Sequence, residues 1–350
     1  MKRPNQIFQE EQHFSKLSEC DFDLTKPFIS VEYFPPKTKT GLQSLYHKIE
    51  RIKNFHPLFV DITWGAGGST SDLTLDLTLY CKEKVQIRPN MHLTCTNMNL
   101  EKIKDALNKC KAHGIRNILA LRGDPPIEPE KVNEESFSCA LDLVHYMHNE
   151  HEDFFHISVA GYPEGHPDTI EKVFHYDSLS ESEKRRCSKK RDSETGKIYY
   201  LVCRDESYKD EILYLKKKID AGAKMIFTQM FFDVNLFIDF VSACRKQEIF
   251  VPIIPGILCF HSVEGFFRMV NFCKSKIPEK LLQSINRINE EEDPDTKKSR
   301  IVNFGVEWGS SMCKKLLDYG VEGLHFYSLN QETVLLEILK NLLPILKKVN

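Results

Sequence analysis

Two alternating residue patterns recur eight times along the 350 residues of this chain. A short apolar run of strand length is each time followed by a stretch in which apolar residues repeat at helical spacing. The strand-like runs are 28–34, 58–63, 87–93, 115–121, 155–160, 223–229, 251–257 and 323–327. Regular alternation of strands and helices favours a parallel sheet, and eight units favour closure into a (β/α)₈ barrel of the α/β class, a TIM barrel.

Helical patterns fill the gaps between these runs. The predicted helices are 42–54, 70–84, 100–113, 136–149, 209–221, 234–247, 262–274 and 332–347, with two extra helices near 279–289 and 296–319 before the last strand. Gly114, Gly222 and Gly320 each follow a helix and suit the left-handed residue that closes it. A doubly wound open sheet is the alternative, but no G-x-G-x-x-G follows the first strand, which weakens its dinucleotide-binding version.

The barrel is predicted as a single domain over residues 26–350, after a polar N-terminal extension over 1–25. A polar insertion, 169–208, interrupts the alternation after the fifth strand. It carries six basic and four acidic residues between Glu181 and Glu194. Two interpretations stay open: a contact loop or phosphorylation site among its serines, and a solvated, partly mobile excursion. The second is favoured, because mixed charge of this kind usually faces solvent.

The composition argues against several classes of protein. A formal net charge of -2 gives no global attraction to nucleic acid. There is no run of about 18 apolar residues, so no membrane span is expected, and the first residues lack an apolar signal core. The 11 cysteines are scattered without a C-x-x-C pair. They argue against a disulfide framework or a zinc site and favour buried thiols in the cytoplasm.

Polar residues collect where the predicted strands end, and in this fold the active site lies at those carboxyl ends. Glu32 follows apolar residues on a strand that otherwise looks buried. A carboxyl in such surroundings keeps its proton and suits general-acid work, but an ion pair with a lysine or arginine is an equal alternative. Arg122-Gly123-Asp124 offers a cation and a carboxylate, either for an anionic ligand or for a surface ion pair. The glycine-rich turn 65–68 would admit a ligand, or would be an ordinary loop.

Three histidines at strand ends, His92, His166 and His325, raise the question of a metal. They lack metal-ligand spacing and an accompanying carboxylate cluster, so no metal is predicted. Aromatic residues near the same ends would stack on a planar ring or belong to the core. These are Tyr33, Phe34, Trp64, Phe231, Phe232 and Tyr327.

Eight segments, in order, resemble the methylenetetrahydrofolate reductase family. They are VEYFPPKT, VDITWGAGGST, MHLTC, NILALRGDPP, VAGYPEGHPD, IDAGAKMIFTQMFFD, PIIPGI and GLHFYSLN. The resemblance runs from Phe28 to about Leu342. It is specific, because several multi-residue motifs occur in order at compatible spacings. The segment TWGAGGST is similar to the eukaryotic branch of the family.

The resemblance implies an FAD enzyme that reduces 5,10-methylenetetrahydrofolate to 5-methyltetrahydrofolate with NAD(P)H and so supplies methionine synthesis. It implies ping-pong kinetics, in which the pyridine nucleotide reduces the flavin and leaves before folate binds. The flavin would carry the hydride, while the protein supplies orientation and electrostatics. A homo-oligomer, dimer or tetramer, is implied, with no nucleic-acid or membrane partner.

The roles of individual residues follow the matching motif positions. The resemblance implies that Glu32 is the general acid that opens the folate ring to an iminium, and that Asp124 binds the pterin and stabilises the developing positive charge. Gln229 would hydrogen-bond the pterin, and Tyr327 and Gln331 would lie on the folate side. The implied flavin-side residues are Thr63, Trp64, His92, Arg122, Gly123, Asp124, Ala140, Ala160, Gly161, Tyr162, His166, Glu211 and Lys218.

The chain departs from the family pattern at several positions. Gln331 stands where some members have an arginine that meets the folate tail, so that charge is lost. Glu211 stands where the family has an aspartate, with Asp210 beside it as the alternative, and Cys139 replaces a tyrosine. Eukaryotic members usually carry a C-terminal regulatory domain, whereas this chain stops after the eighth helix. Control by S-adenosylmethionine is therefore not expected from these residues.

Two other functions are weighed against the reductase. A catalytically silent flavin- or folate-binding protein on the same barrel would be favoured by the loss of Glu32 or Asp124, and both residues are present. A different barrel flavoenzyme, such as an amine or proline dehydrogenase, is disfavoured by Asp124 and Gln229 in their motifs.

Overall fold

A computed structural model describes residues 24, 26–65, 70–96, 98–123 and 137–348. The strands in these ranges form a nine-stranded sheet and a separate three-stranded sheet made of β6, β7 and β8. In chain order they are β1 (Phe28–Tyr33), β2 (Phe59–Ile62), β3 (Pro89–Thr94), β4 (Asn117–Leu121), β5 (His156–Gly161), β6 (Ile170–Val173), β7 (Ser188–Arg191), β8 (Ile198–Cys203), β9 (Met225–Thr228), β10 (Ile253–Ile254), β11 (Gly256–Leu258) and β12 (Gly323–Tyr327).

The nine-stranded sheet is parallel throughout and runs β10-β9-β5-β4-β3-β2-β1-β12-β11. The first and last strands in this order, β10 and β11, are consecutive in the chain, since only Pro255 separates them. The predicted strand 251–257 is therefore two short strands that share one position of the ring. Proline has no N–H to donate, which explains the break. The sheet closes, and the predicted (β/α)₈ barrel is confirmed.

Helices follow the barrel strands as predicted, including two extra helices, α9 and α10, before the last strand. They are α1 (Lys39–Ile52), α2 (Ser71–Tyr80), α3 (Leu100–Ala112), α4 (Ala140–His151), α5 (Glu181–Arg186), α6 (Asp205–Asp220), α7 (Val234–Lys246), α8 (Val263–Cys273), α9 (Glu279–Asn289), α10 (Pro294–Tyr319) and α11 (Thr333–Lys348). Gly114, Gly222 and Gly320 have positive φ values at the ends of α3, α6 and α10, as predicted.

Alternate residues of each strand point into the barrel. The lower part of the interior is an apolar floor made of Phe28, Phe59, Leu119, Met225, Phe227 and Ile254. Polar residues lie above this floor, toward the carboxyl ends of the strands. The residues between them, such as Val31 and Val60, face outward and pack under the helices in the main core. Glu32 lies four residues after the floor residue Phe28 on β1, so its side chain also points into the barrel.

The extra helices build a second apolar cluster. Phe232 after β9 and Phe260 after β11 pack with Phe266 of α8, Ile285 of α9 and Ile301 of α10. Tyr327, at the end of β12, packs against the same cluster. One side of the barrel mouth is therefore a rigid apolar wall.

The polar insertion forms a small sheet that its sequence did not predict, and many of its charged side chains are exposed as expected. Strands β6, β7 and β8 pair antiparallel, and Leu179, Cys187 and Val202 form a small core beneath them. Some charged side chains of the insertion make specific ion pairs and hydrogen bonds. Buried Arg186 donates to Asp205 Oδ1 over 2.6 Å and to the carbonyl of Cys203 over 3.2 Å. The insertion is thereby anchored to the start of α6.

The described cysteines are buried apart from partly exposed Cys139, as expected for small apolar side chains. Of the helices that the structure describes, none is both long and apolar enough to cross a bilayer.

Candidate active site

Glu32 lies one residue before the end of β1, and its side chain, 19% exposed, enters the barrel mouth. The basic groups within 4 Å of its carboxyl group, among the described residues, are two imidazoles. His92 Nε2 lies 3.7 Å and His325 Nε2 3.9 Å from Glu32 Oε2. The alternative of an ion pair with lysine or arginine is therefore wrong for the described part of the chain.

A buried polar layer supports Glu32 from β2, β3 and β12. Asp61, paired with Glu32 in the strand register, is fully buried. Its Oδ1 accepts a hydrogen bond from Asn90 Nδ2 over 2.6 Å and lies 3.3 Å from His92 Nε2. Its Oδ2 lies 3.7 Å from His325 Nδ1, which is 2.9 Å from Ser30 Oγ. Two carboxyl groups thus share two imidazoles.

Asp61 and Ser30 were not predicted as site residues, although the signal was present. Each follows an aromatic floor residue by two positions: Ser30 follows Phe28, and Asp61 follows Phe59. Alternation along a strand puts residues two apart on the same face. A polar residue in that position points into the barrel and needs a buried partner.

The charge of His92 is set by this layer. Burial disfavours the imidazolium ion, but the hydrogen bond to Asp61 and the charges of Glu32 and Asp61 outweigh that cost and raise the pKa of His92 above its ordinary value. A proton on His92 therefore faces the carboxyl group of Glu32. Because ionised Glu32 is one of the groups that raise the pKa of His92, a proton on His92 stabilises the carboxylate that remains after Glu32 has released its proton.

The turn after β12 fixes the backbone around Glu32. Ser328 Oγ donates to the carbonyl of Glu32 over 2.8 Å. The amide of Asn330 accepts from Phe34 N over 3.0 Å and donates to Phe34 O over 2.8 Å. Leu329 and Asn330 both have positive φ, an uncommon backbone conformation that these contacts hold in place. The sequence did not predict these hydrogen bonds around Glu32, since they depend on the geometry of the turn.

Thr63 and Trp64 follow β2 at the mouth, as predicted. Thr63 N donates to the carbonyl of Tyr33, and Thr74 Oγ1 donates to the carbonyl of Thr63, each over 2.9 Å. The ring of Trp64 is buried, and its Nε1 has no hydrogen-bond partner among the described residues.

A second polar cluster lies beyond β4 and β5. Arg122 Nη2 donates to Asp168 Oδ2 over 2.8 Å, and both side chains are exposed. Asp168 N donates to His166 Nδ1 over 3.1 Å, and the ring of Tyr162 meets that of His166 edge-on at 4.6 Å. Arg122 thus makes an ion pair at the mouth with Asp168.

Helix α6 adds Lys218 and Glu211, which lie two turns apart on the same helix face. Lys218 Nζ donates to the carbonyl of Ala160 over 3.1 Å. Burial lowers the pKa of Lys218 to about 8, against the opposing charge of Glu211. Burial likewise raises the pKa of Glu211, against the charge of Lys218. The structure therefore brings Ala160 and Glu211 close to Lys218.

Two of the predicted flavin-side glycines are constrained by packing. Gly123 has φ +90°, and a Cβ there would lie 2.8 Å from Thr94 Cβ, so other residues do not fit. A Cβ on Gly161 would lie 2.8 Å from Ile226 Cγ2 and 2.9 Å from Phe240 Cζ. Gly161 therefore leaves space for the outer helix layer. Ala140 opens α4 and is buried.

The predicted folate-side residues occupy different depths. Gln229 follows β9, and its Oε1 accepts from Met230 N over 2.8 Å. Tyr327 pairs with Glu32 in the strand register, and its hydroxyl donates to the carbonyl of Thr228 over 2.7 Å. A Cβ on Gly256 would lie 2.4 Å from the ring of Tyr327, so glycine is required there. Gln331 is exposed on the outer rim.

Asp124 and the turn residues 66–69 lie outside the described residues. Within the described ranges, no three His, Cys, Asp or Glu side chains are grouped so that they could hold a metal ion.

The fold and the site define a class of protein: a (β/α)₈ barrel whose mouth holds a carboxyl–imidazole cluster on one side and a buried lysine and an exposed arginine on the other. Enzymes of this fold carry their chemistry at this end of the barrel.

Comparison with known proteins identifies the family. The methylenetetrahydrofolate reductase family model matches residues 19–343, and the chain belongs to that family. It is 42% identical over 315 residues to "Methylenetetrahydrofolate reductase (NADH) 1" of Arabidopsis thaliana and 43% identical over 315 residues to "Probable methylenetetrahydrofolate reductase (NADH)" of Oryza sativa subsp. japonica. Each match covers 89% of this chain and 48% of the relative, so the chain spans about half the length of these plant proteins.

A bacterial relative of similar length also matches. "5,10-methylenetetrahydrofolate reductase" of Pectobacterium carotovorum subsp. carotovorum is 30% identical over 303 residues, covering 87% of this chain and 86% of that protein.

Proposed function

We propose that this chain binds FAD and reduces 5,10-methylenetetrahydrofolate to 5-methyltetrahydrofolate with NAD(P)H. The observation that carries the proposal is the position of Glu32. Its carboxyl group lies at the barrel mouth, beside two buried imidazoles and a buried carboxylate. The printed names of the relatives state the reduction for those proteins, and the family resemblance assigns the acid to this position.

Glu32 acts as the general acid in this proposal. Opening of the five-membered folate ring leaves a nitrogen that needs a proton, and a carboxyl group at the mouth is placed to supply it. The proton comes from the carboxyl group, and the negative charge left on Glu32 faces His92 at 3.7 Å. Asp61 holds His92 in position and favours its protonated form. The proton transfer is therefore assisted by groups that need not move.

The second cluster fits the charge of a dinucleotide cofactor. A diphosphate requires cations, and Arg122 and Lys218 place two of them at the ends of β4 and β5. We propose that they bind the FAD diphosphate, with Ala140, Ala160, Gly161, Tyr162, His166 and Glu211 around it. Thr63, Trp64 and His92 then border the isoalloxazine ring. Bound FAD supplies hydride transfer.

The folate side of the proposal uses residues on the opposite half of the mouth. Gln229 presents an amide after β9, and Tyr327 forms part of the apolar wall. Asp124 is proposed to bind the pterin and to stabilise positive charge there. Because one mouth serves both substrates, we propose that NAD(P)H leaves before the folate binds.

Reconstitution and two additions test this proposal. The purified protein should bind FAD and show a flavin spectrum, which NADH or NADPH should bleach in the absence of oxygen. Methylenetetrahydrofolate should then restore the colour and yield 5-methyltetrahydrofolate. A silent binding protein would take up FAD without this cycle, and another flavoenzyme would be reoxidised by a different substrate. Either result would refute the reductase.

The proposal includes the setting that the resemblance implies. We propose a cytoplasmic homo-oligomer, dimer or tetramer, whose product supplies methionine synthesis. The mass of the purified protein in solution, measured by light scattering at several concentrations, tests its assembly.

A further inference from the structure

A cavity of about 550 Å³ lies at the amino ends of β3, β4, β5 and β9, the end of the barrel opposite Glu32. Its charged lining consists of Lys82, Arg88, Arg116, Lys224 and Asp153. On β4, Asn117 lines this cavity, while Leu119, two residues further along, belongs to the apolar floor. The floor therefore separates the cavity from the catalytic mouth.

The cavity concentrates positive charge in a chain that is nearly neutral overall. Among the described lining residues, four cations and one carboxylate leave an excess of three positive charges, against a formal net charge of -2 for the whole chain. His156 adds no charge near neutral pH, because burial and the charges of Lys224 and Arg88 lower its pKa to about 4. Such an excess attracts an anion.

Several of these cations are held in place by the protein itself. Lys82 Nζ donates to the carbonyl of Gly114, and Lys224 Nζ lies 3.1 Å from Asp153 Oδ1. Arg116 Nη1 donates to the carbonyl of Phe154, and its guanidinium carbon lies 4.6 Å from the centre of the Phe154 ring. A lysine has three N–H donors and an arginine has five, so these contacts occupy only part of their capacity.

We propose that this cavity binds a diphosphate group, either as inorganic pyrophosphate or as part of a nucleotide. Its volume lies within the roughly 300–1,000 Å³ of small-molecule sites. At neutral pH inorganic pyrophosphate carries about three negative charges, because each phosphate has lost its first proton and about one of the two remaining protons has also been released. That number matches the excess charge of the lining. Arginine and lysine are the residues that recognise phosphate oxygens.

Calorimetric titration of FAD-loaded protein tests the proposal, because bound FAD would fill the diphosphate site that we propose at the mouth. Pyrophosphate and ADP should bind with one site per chain, and adenosine should not bind. Lys224→Gln and Arg116→Gln should each weaken binding about tenfold, as expected for the loss of one charged contact of about 1.4 kcal/mol. Binding of ADP as well as pyrophosphate identifies a nucleotide as a possible source, and binding of pyrophosphate alone identifies the free ion.

Two matched variants distinguish this site from general attraction. Asp153→Asn removes the one carboxylate found among the described lining residues, so binding should stay equal or become tighter. Lys314→Gln removes a positive charge from the exposed surface of α10 and should leave binding unchanged. The proposal is overturned if neither pyrophosphate nor ADP binds, or if Lys314→Gln weakens binding as much as Lys224→Gln and Arg116→Gln do.

Discussion

Asp61 is the residue that organises the polar interior. It is fully buried, and its two oxygens face Asn90 and His92 on one side and His325 on the other. A buried carboxylate is costly unless it is paired and hydrogen-bonded. The structure places it where it stabilises a charged His92 beside the proposed acid. Asp61 thus acts through His92 and positions the site without needing to touch the substrate.

Replacing Asp61 with asparagine should change the pH dependence of folate reduction. The variant loses both the charge and the carboxylate acceptor that raise the pKa of His92, so His92 gives up its proton at lower pH. The limb along which folate reduction declines with rising pH should therefore move to lower pH, and the rate at neutral pH should fall by about tenfold or more. Single-turnover rates measured from pH 6 to pH 9 would show the shift.

A matched acidic residue separates this effect from a loss of net charge. Asp72→Asn changes an exposed aspartate on α2 and should retain the profile of the unchanged protein. An identical profile for Asp61→Asn would show that Asp61 is only structural.

Lys218 should make the affinity for FAD depend on pH. Its ammonium group is present below a pKa of about 8 and is lost above it. If it binds the FAD diphosphate, FAD affinity should fall as the pH rises from 7 to 9. Lys218→Gln should bind FAD roughly tenfold more weakly at pH 7, as for the loss of one charged contact, and should lose most of this pH dependence. Fluorescence titration with FAD measures both effects.

The neighbouring Lys217 is exposed and provides the control for Lys218. Lys217→Gln should bind FAD as the unchanged protein does. Equal weakening by both substitutions would assign the effect to general surface charge.

Among the connecting elements, the turn after β5 is tied to the segment between α8 and α9. Glu164 is buried in this turn, and its Oε2 accepts a hydrogen bond from Lys276 N over 2.6 Å. Burial raises the pKa of Glu164 to about 8, although the hydrogen bond and charge of Lys276 oppose the shift. The folded protein therefore keeps a proton that the unfolded chain releases near pH 4.5.

The raised pKa of Glu164 predicts how the free energy of unfolding varies with pH. The contribution of Glu164 is complete below about pH 4.5 and is lost as the pH rises through 8, because the folded state binds the extra proton in that interval. Glu164→Gln lacks this loss, so the stability of the variant relative to the unchanged protein should increase from pH 5 to pH 8. Denaturant unfolding at several pH values measures it. Glu206→Gln, at an exposed position on α6, is the control, and a parallel response of the two variants would contradict the assignment.

The elements differ in how far the sequence specifies them. The eight barrel positions follow from alternation of pattern, and the helix ends follow from Gly114, Gly222 and Gly320. The sequence predicted one strand where the structure has two short strands separated by Pro255, because the apolar pattern continues through the proline. The sheet of the insertion was missed, since its charged strands find partners such as Asp205 for Arg186 only in three dimensions.

Across the whole molecule, the two ends of the barrel carry different sets of polar groups. The mouth gathers carboxyl groups and imidazoles around Glu32, whereas the far end gathers lysines and arginines around one cavity. The apolar floor keeps them apart. Its place on a buried strand made Glu32 a candidate, with an ion pair as an equal alternative, and only the family resemblance gave it a role. Asp61, Ser328 and Asn330 were not predicted, because their importance depends on contacts between distant strands and turns.

The central claim is that the mouth around Glu32 donates a proton to the folate. Rapid mixing of FAD-loaded protein tests it most directly, with the NAD(P)H and folate half-reactions followed separately in the unchanged protein and in Glu32→Gln. Glutamine keeps the size of the side chain but cannot act as the acid. We predict that Glu32→Gln is reduced by NAD(P)H at a nearly unchanged rate and that reoxidation by methylenetetrahydrofolate slows by at least about a hundredfold. Equal loss of both half-reactions, or unimpaired reoxidation, would contradict the claim.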